Sequence, residues 1–590
     1  MRPSCHLAWG AILTQRSIVD VHIVHLSAPG RFPTVIHDPG MWRHLLDTTP
    51  HKVERCNINP RWWEVILDPT TNTWLGVCDE QLSASAREAA TALADLCDSR
   101  VYKEFIDYRQ AVHAVVRHLE LLQQAQPELI FNLIAGAIVY DVNYHDSRSL
   151  VEYAYRQTVL SRSIELALDI VPAKFDALLV SVASSEELLN ALICVRLLKE
   201  RVPGLYACLI DHGYENYSLH AHMASLQRSG QLERLFDSVI ASRDDRDVLV
   251  PLLVEELAQG RRASGYLTRA DLADADYKLS PKRYAAPERT RLFSPEPVLW
   301  TRISERRCYW SKCTFCTQNA KYESSLVPLR SEVEPAVQRL AAYVEAGYET
   351  FIFADEALSP AMLRTLCEVL IERKLRIRWA CRSKLELAHT RELFELLREA
   401  GCYEVLFGLE SIVPRIQKLM DKYTPGLDEA AVRRILGYAR DAGVGLHMNL
   451  IGGFPGEQLE ELETSVEFLI SAVREIDNVT FLLNRFTVFP DTPVQRQPAA
   501  FGLRLHPPEG DMPSYYPYSF AEEIAEASLR THRAIEDYTA VLLNELGWLR
   551  FGAGGGMDPT VYLYFATGHG AILKKQAGHF FQNPAQALQP

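Results

Sequence analysis

The chain has 590 residues, 48% hydrophobic and 23% charged, and its 62 Lys and Arg against 75 Asp and Glu leave a net charge of −13. That length exceeds what a single core supports, so about three or four domains are expected, of ordinary globular composition. A phosphate-backbone partner calls for surplus cation, so nucleic acid is disfavoured, and no run approaches the ~18–20 uncharged apolar residues of a membrane span.

The first twenty residues contain too short an apolar run for a secretory signal. Most of the 12 cysteines are therefore expected to be reduced thiols in a cytoplasmic protein. Nine are scattered singly, Cys194, Cys208 and Cys367 among them, and read as small core residues.

Residues 1–290 read as an α/β unit with a helical insertion at about 61–170. Strands are expected at 18–27 and in HKVERCNI, with a helix at 38–49 between them. After the insertion, FDALLVSVAS, LYACLIDHG and FDSVIAS alternate with amphipathic helices. Apolar runs of strand length separated by helices indicate a parallel, doubly wound sheet, whose ligand belongs at the strands' carboxyl ends. Those ends carry Ser181 and Ser184 after one strand and Asp211, His212 and Gly213 after the next. The charged, proline-containing stretch 269–291 reads as a linker.

Residues 295–490 alternate strand and helix more regularly. Strands are expected at 298–305, 349–356, 376–383, 403–410, 445–453 and 478–489, with helices between them. Six βα repeats make a barrel or partial barrel that works from the loops at the strands' carboxyl ends. The candidate chemical residues fall there: Cys308, Cys313 and Cys316, Asp355 and Glu356, Arg382, Glu410, and the GGFPGE loop. Residues 491–590 hold the aromatic patch PSYYPYSF, a long helix near 521–547 and the turn FGAGGGMD. Met557 stands where a GxGxxG motif needs its third glycine, so that turn reads as a loop and not a nucleotide site.

The three thiols of RCYWSKCTFC admit three readings. Structural zinc wants four tetrahedral ligands, and no Cys or His follows within thirty residues to complete such a set. Three thiolates on a four-iron cluster leave one iron open for chemistry. Chance clustering of core cysteines is the third reading.

The trio, with Phe315 before its last cysteine, resembles the cluster loop of the radical S-adenosylmethionine (SAM) superfamily. The usual spacing there is CxxxCxxC; here the first gap is one residue longer. FADEA (353–357), GLES (408–411) and LIGGFPGE (450–457) resemble the second-, fourth- and fifth-strand motifs of that family. The resemblance implies a [4Fe-4S] cluster on Cys308, Cys313 and Cys316. It also implies a SAM site in which Phe315 borders the cluster, Asp355 or Glu356 takes the methionyl ammonium, and Arg382 takes the carboxylate. Glu410 and Ser411 would lie near the ribose or methionine, and Ile451 and Gly453 against adenine.

The first sheet, standing before such a barrel, resembles the Rossmann-like cobalamin-binding domain of one subclass. That places Ser181 and Ser184 near the corrin tail and Asp211 and Gly213 at the next turn, with cobalamin as a cofactor. The DxHxxG signature that supplies a histidine to cobalt is absent, and Asp211-His212-Gly213 replaces the usual Gly-Gly turn. The resemblance implies an α/β fold of that sheet, a partial (β/α)6 barrel and an α-rich C-terminal extension that caps the substrate site. The implied activity is reductive SAM cleavage to a 5′-deoxyadenosyl radical, used for methyl transfer to an unactivated carbon of a peptide or small-molecule natural-product intermediate. A flavodoxin- or ferredoxin-type protein would donate the electron. The alternatives are radical epimerisation, cyclisation or rearrangement on a degenerate cobalamin fold, or a non-enzymatic cluster-binding redox or metal-sensing module.

Overall fold

A computed structural model describes residues 21–30, 36–37, 51–68, 80–102, 105–132, 137–182, 185–211, 219–241, 246–272, 298–304, 308–318, 328–476 and 479–546. The helix expected at 38–49, most of the 269–291 linker and the FGAGGGMD turn lie outside those residues.

The first region begins with β1 (His22–Ser27), β2 (Ile36–His37) and β3 (Lys52–Asn57). Helices α1 (Ile58–Leu67), α2 (Glu80–Leu96) and α3 (Phe105–Ala125) follow. The insertion also contains an antiparallel pair, β4 (Leu129–Asn132) and β5 (Ala137–Tyr140), that the helical periodicity around it concealed, and then α4 (Ser147–Ala154) and α5 (Val159–Ala167). Regular alternation resumes with β6 (Ala177–Val182), α6 (Ser185–Arg201), β7 (Tyr206–Asp211), α7 (Leu219–Arg228), β8 (Ser238–Ile240), α8 (Arg246–Ala258) and β9 (Gly265–Tyr266).

Every residue of β6 and β7 is buried, as a strand covered on both faces requires. Their period of two feeds two cores: Leu178, Val180 and Leu209 face one, Leu179, Cys208 and Ile210 the other. The sheet runs β3-β1-β6-β7-β8-β9 with every pair parallel. Numbered along the chain within the sheet, that order is 2-1-3-4-5-6, so its switch point, where such folds bind ligands, lies between β1 and β6.

The second sheet comprises β10 (Val298–Thr301), β11 (Thr350–Phe353), β12 (Arg378–Ser383), β13 (Cys402–Glu410), β14 (Gly445–Gly452) and β15 (Val479–Arg485). All are parallel neighbours in chain order, an open six-stranded barrel wall. The connecting helices are α9 (Leu329–Glu345), α10 (Pro360–Glu372), α11 (Arg391–Glu399), α12 (Pro414–Leu419), α13 (Glu429–Ala442) and α14 (Leu459–Glu475). Local chemistry sets their ends. Asp428 caps α13 by accepting from the Ala431 amide at 2.8 Å, and Gly443 ends it at φ +72°. Buried Leu, Val and Phe side chains of these helices pack the outer face of the sheet into one core.

The C-terminal region adds the hairpin β16 (Leu503–Leu505) and β17 (Tyr518–Phe520), then α15 (Glu522–Leu546), whose Ile535 and Leu542 enter the barrel core. The regions interlock. Strand β2 extends the barrel sheet beside β10 in parallel register, and Met512 is fully buried in the first region's core. Near it, Asp511 accepts from the Ser147 amide at 2.8 Å and from its hydroxyl at 2.7 Å. Among the described residues no helix is long and apolar enough to cross a membrane.

Candidate active site

The loop after β10 carries the three thiols, each half-buried. Cys308 forms a parallel bridge with Ala357, beside the acidic pair that ends β11. The additional residue in the first gap is absorbed at Ser311, whose φ of +48° is rare outside glycine and whose hydroxyl donates back to the Cys308 carbonyl. The loop is laced to the turn after α12. The Thr314 amide donates to Met420 O at 3.0 Å and the Trp310 indole to Asp421 O at 2.8 Å. The Gln318 amide points at Cys316 Sγ, 3.4 Å away.

Burial pushes the Cys313 thiol up to about 11, with Lys422 pulling against it, and also raises Cys316, with Cys313, Glu356 and Cys308 adding to the shift. These mutual influences put the three sulfurs in one neighbourhood. Among the described residues, however, no three His, Cys, Asp or Glu side chains are placed around a single metal ion. A mononuclear zinc needs its sulfurs crowded within bonding distance of one atom, whereas a cube takes one thiolate on each of three irons. Three half-buried thiols on one loop are a donor set of the kind that a four-iron cluster takes.

The acidic pair divides. Asp355 is buried, and its two oxygens accept from the Ile303 and Ser304 amides at 2.8 Å each, tying β11 to the entry of the cysteine loop. Burial pushes its carboxyl up to about 6, with those two amides opposing the shift. Glu356 is half-buried and close enough to influence Cys316.

At the end of β13 the ladder slips between Gly408 and Glu410, and Glu410 sits at φ +62°. Its carboxylate meets Lys422 at 2.5 Å, both side chains being about nine-tenths buried. A Cβ on Gly408 would come within 2.4 Å of both charged atoms, so the glycine makes room for the pair. Burial pulls the Lys422 ammonium down, but Glu410 and the Cys313 and Cys316 thiols outweigh it and raise its pKa. Lys384, lowered by burial, adds a second cation, 4.1 Å from the Trp310 ring centroid. Ser411 is fully buried and bonds to Ser465 at 3.0 Å, which makes it a fastener between β13 and α14.

Arg382 lies along the barrel interior with its guanidinium 5.6 Å from the Trp300 ring centroid, and its charge helps to lower His447. His447 is pushed down to about 4, chiefly by burial, and bonds Asn449 Oδ1 at 3.0 Å. Ile451 and Phe315 border one apolar cluster with Phe454 and Phe486, so the cysteine loop and the β14 loop share a wall. Gly453, at φ +77°, takes a backbone turn that side chains resist. Its amide donates to Glu457 at 2.6 Å, and burial pushes the Glu457 carboxyl up to about 8.

In the first sheet, Ser181 is buried at the end of β6 and bonds His25 Nε2 at 3.0 Å. Asp211 is buried at the end of β7, and Ser184 and Gly213 lie outside the described residues. The loop after β1 is held by Asn190 Nδ2, which donates to Pro29 O at 2.9 Å, and by the Trp63 indole on Gly30 O at 3.3 Å. Asn190 Oδ1 is buried at this switch point with no hydrogen-bond partner among the described residues.

Sequence reasoning missed Lys422, Lys384 and His447. Lys422 follows Glu410 by twelve residues in an unremarkable turn, and a lysine there carries no motif signal.

Residues 306–469 match the family described as the radical SAM superfamily. The cytidylyl-2-hydroxyethylphosphonate methyltransferase of Streptomyces wedmorensis is 28% identical over 164 residues, 26% of this chain and 30% of that one. An uncharacterised methyltransferase of Pyrococcus horikoshii is 26% identical over 207 residues, 34% of this chain and 42% of its own. The chain thus spans less than half the length of either curated relative. The structure of the radical SAM methyltransferase TsrM from Kitasatospora setae, with tryptophan and a SAM analogue bound, aligns over 96% of this chain and 100% of its own at a TM-score of 0.50 and 12% identity, a likeness of fold. The span that matches the radical SAM superfamily holds both the cysteine loop and the glycine turn of this site.

Proposed function

We propose that the protein is a cobalamin-dependent radical SAM methyltransferase acting on an unactivated carbon of a small-molecule or peptide biosynthetic intermediate. The observation that carries the reading is the meeting, at one barrel end, of three half-buried thiols, the buried Lys422–Glu410 pair and the Gly453 turn. Both curated relatives and TsrM are named methyltransferases, and TsrM has been seen with cobalamin and a [4Fe-4S] cluster bound.

When bound, the cluster supplies one electron for reductive cleavage of the SAM sulfonium, and cobalamin supplies a carrier for the methyl group. The chain's own residues bind, orient and exclude water. Cys308, Cys313 and Cys316 would hold the cluster, with the Gln318 amide donating to one ligand sulfur. Glu356, half-buried near Cys316, would face an ammonium, while both oxygens of Asp355 accept from backbone amides. Lys422 and Lys384 offer cations to the methionyl carboxylate on the thiol side, and Arg382 does so from the barrel interior. Ile451 and the Gly453 turn offer a flat apolar wall to adenine.

Cobalamin would lie at the carboxyl ends of β6 and β7, by Ser181 and Asp211. The β1/β6 switch point and the unpaired Asn190 Oδ1 fit a polar ligand tail there. A flavodoxin- or ferredoxin-type donor and a cytoplasmic setting complete the proposal, and the described cysteines are all free thiols.

Anaerobic reconstitution, reduction and assay with methyl-labelled SAM test it. Deoxyadenosine release with cobalamin-dependent label transfer is the expected result. Deoxyadenosine without label transfer would replace methylation by epimerisation, cyclisation or rearrangement. No deoxyadenosine from cluster-loaded protein would leave the redox or sensing module.

A further inference from the structure

The turn after β14 is held from outside the matched family span. His532, on α15, stands over Gly453 with its Nε2 2.8 Å from the Gly453 carbonyl. A carbonyl only accepts, so Nε2 carries the proton. The approach is close enough that a Cβ on Gly453 would lie 2.6 Å from the imidazole, and a Cβ on Gly452 would lie 3.2 Å from Ile535 of the same helix. Two more residues of α15 reach the turn: the Thr531 hydroxyl, shared between Glu457 O at 3.1 Å and Ala527 O of its own helix at 3.0 Å, and Ser528 Oγ, which accepts from the Gly456 amide at 3.4 Å. From the other side, the Glu457 carboxyl accepts the Gly453 amide at 2.6 Å. The imidazole itself is set edge-on to Phe520 and Tyr518, with centroids 5.1 and 6.2 Å away, and its backbone carbonyl accepts from Arg485 at 3.4 Å.

We propose that α15 is the positioning element of the nucleotide turn, with His532 fixing the Gly453 carbonyl and Thr531 and Ser528 fixing the far side. The C-terminal region thereby sets the affinity for SAM. This rests on the reading of the β14 turn as the adenine wall. Glycine backbone has more conformational freedom than any other, so this turn depends on its neighbours to hold it, and a turn released on one side presents a poorer surface to a flat base.

The test uses the full chain, reconstituted with its cluster, as wild type, His532→Phe and His532→Gln. Phenylalanine keeps the ring packing against Phe520 and Tyr518 and removes the donor; glutamine returns an N–H near the position of Nε2. Labelled SAM in equilibrium dialysis, iron and sulfide content, and KM for SAM against kcat for deoxyadenosine release are read together. His532→Phe is expected to weaken SAM binding and raise KM about tenfold, from one lost and unsatisfied buried hydrogen bond, while cluster content holds. His532→Gln is expected within about threefold of wild type. Thr531→Val, nearly the same shape without the hydroxyl, is expected to weaken binding about threefold and gives an independent reading should the phenylalanine variant not fold. Wild-type affinity in His532→Phe or Thr531→Val, or equal weakening by phenylalanine and glutamine, would overturn the proposal. A cluster-loaded wild type that binds no SAM would sink the functional reading itself, which is a different result.

Discussion

The protein contains two parallel sheets whose carboxyl ends look alike in sequence but differ in what they hold. At the end of the first sheet, Ser181 is engaged by His25, and Asn190 and Trp63 fasten the neighbouring loop. The end of the barrel sheet holds a buried ion pair, three thiols, a second lysine and three non-glycine residues, Ser311, Glu410 and Asp421, in left-handed backbone. Strand ends are thus only places where a site can be built. At the barrel end, charge buried against its desolvation cost and strain retained against local preference mark a reaction site, whereas the first sheet's end offers a buried Asp211 and Asn190 Oδ1 to a ligand.

The comparison is tested most severely at the thiols. Cys313→Ala is expected to abolish cluster retention and deoxyadenosine release, measured by iron content and product assay. Cys208→Ala, in the first sheet's core, should keep the cluster and cost about 1 kcal/mol in denaturant unfolding. Equal cluster loss in both would erase the distinction.

The ion pair comes next. Lys422→Met leaves Glu410 buried without its cation, at an expected cost of about 3–5 kcal/mol in urea unfolding. The double variant with Glu410→Gln should recover part of that loss; strictly additive costs would mean that the pair is not coupled.

pH offers a third, smaller contrast inside the barrel region. Burial pushes His389 and His447 down to about 4, so the unfolded chain binds their protons first as pH falls below about 6.5. Their contribution to stability is present above that value and is lost between about 6.5 and 4, by at most about 3 kcal/mol each. Glu457 works in the opposite direction. Its raised pKa favours the folded state at low pH, and that advantage fades as pH climbs from about 4.5 toward 8. Thermal melts across pH should show both limbs, and Glu457→Gln should flatten only the upper one.

The smallest effect belongs to the first sheet. Ser181→Ala removes one buried hydroxyl bond to His25 and should cost about 1 kcal/mol in urea unfolding. A cost as large as that of Lys422→Met would place the two strand ends on an equal footing.

Local signals carried far in this chain. The uniformly apolar runs of β6 and β7 and the six barrel strands announced two parallel sheets, because a strand covered on both faces has no polar face to display. The spacing of Cys308, Cys313 and Cys316 and the glycines of the β14 turn were equally legible, since thiol ligation and left-handed backbone each demand particular residue types. Asp355 and Glu356 could not be told apart in the sequence. Which carboxylate meets backbone amides depends on the path of Ile303 and Ser304, fifty residues away.

The same holds for β2 on the barrel's edge, Met512 in the first core, Lys422 beside the thiols and His532 on Gly453. Residue type and spacing are properties of the chain, and they determined the elements and the chemistry on offer. Partnership across twelve to several hundred residues has no local signature. It is created by packing, and only the tertiary structure decided which charge, ring or hydroxyl completes the site.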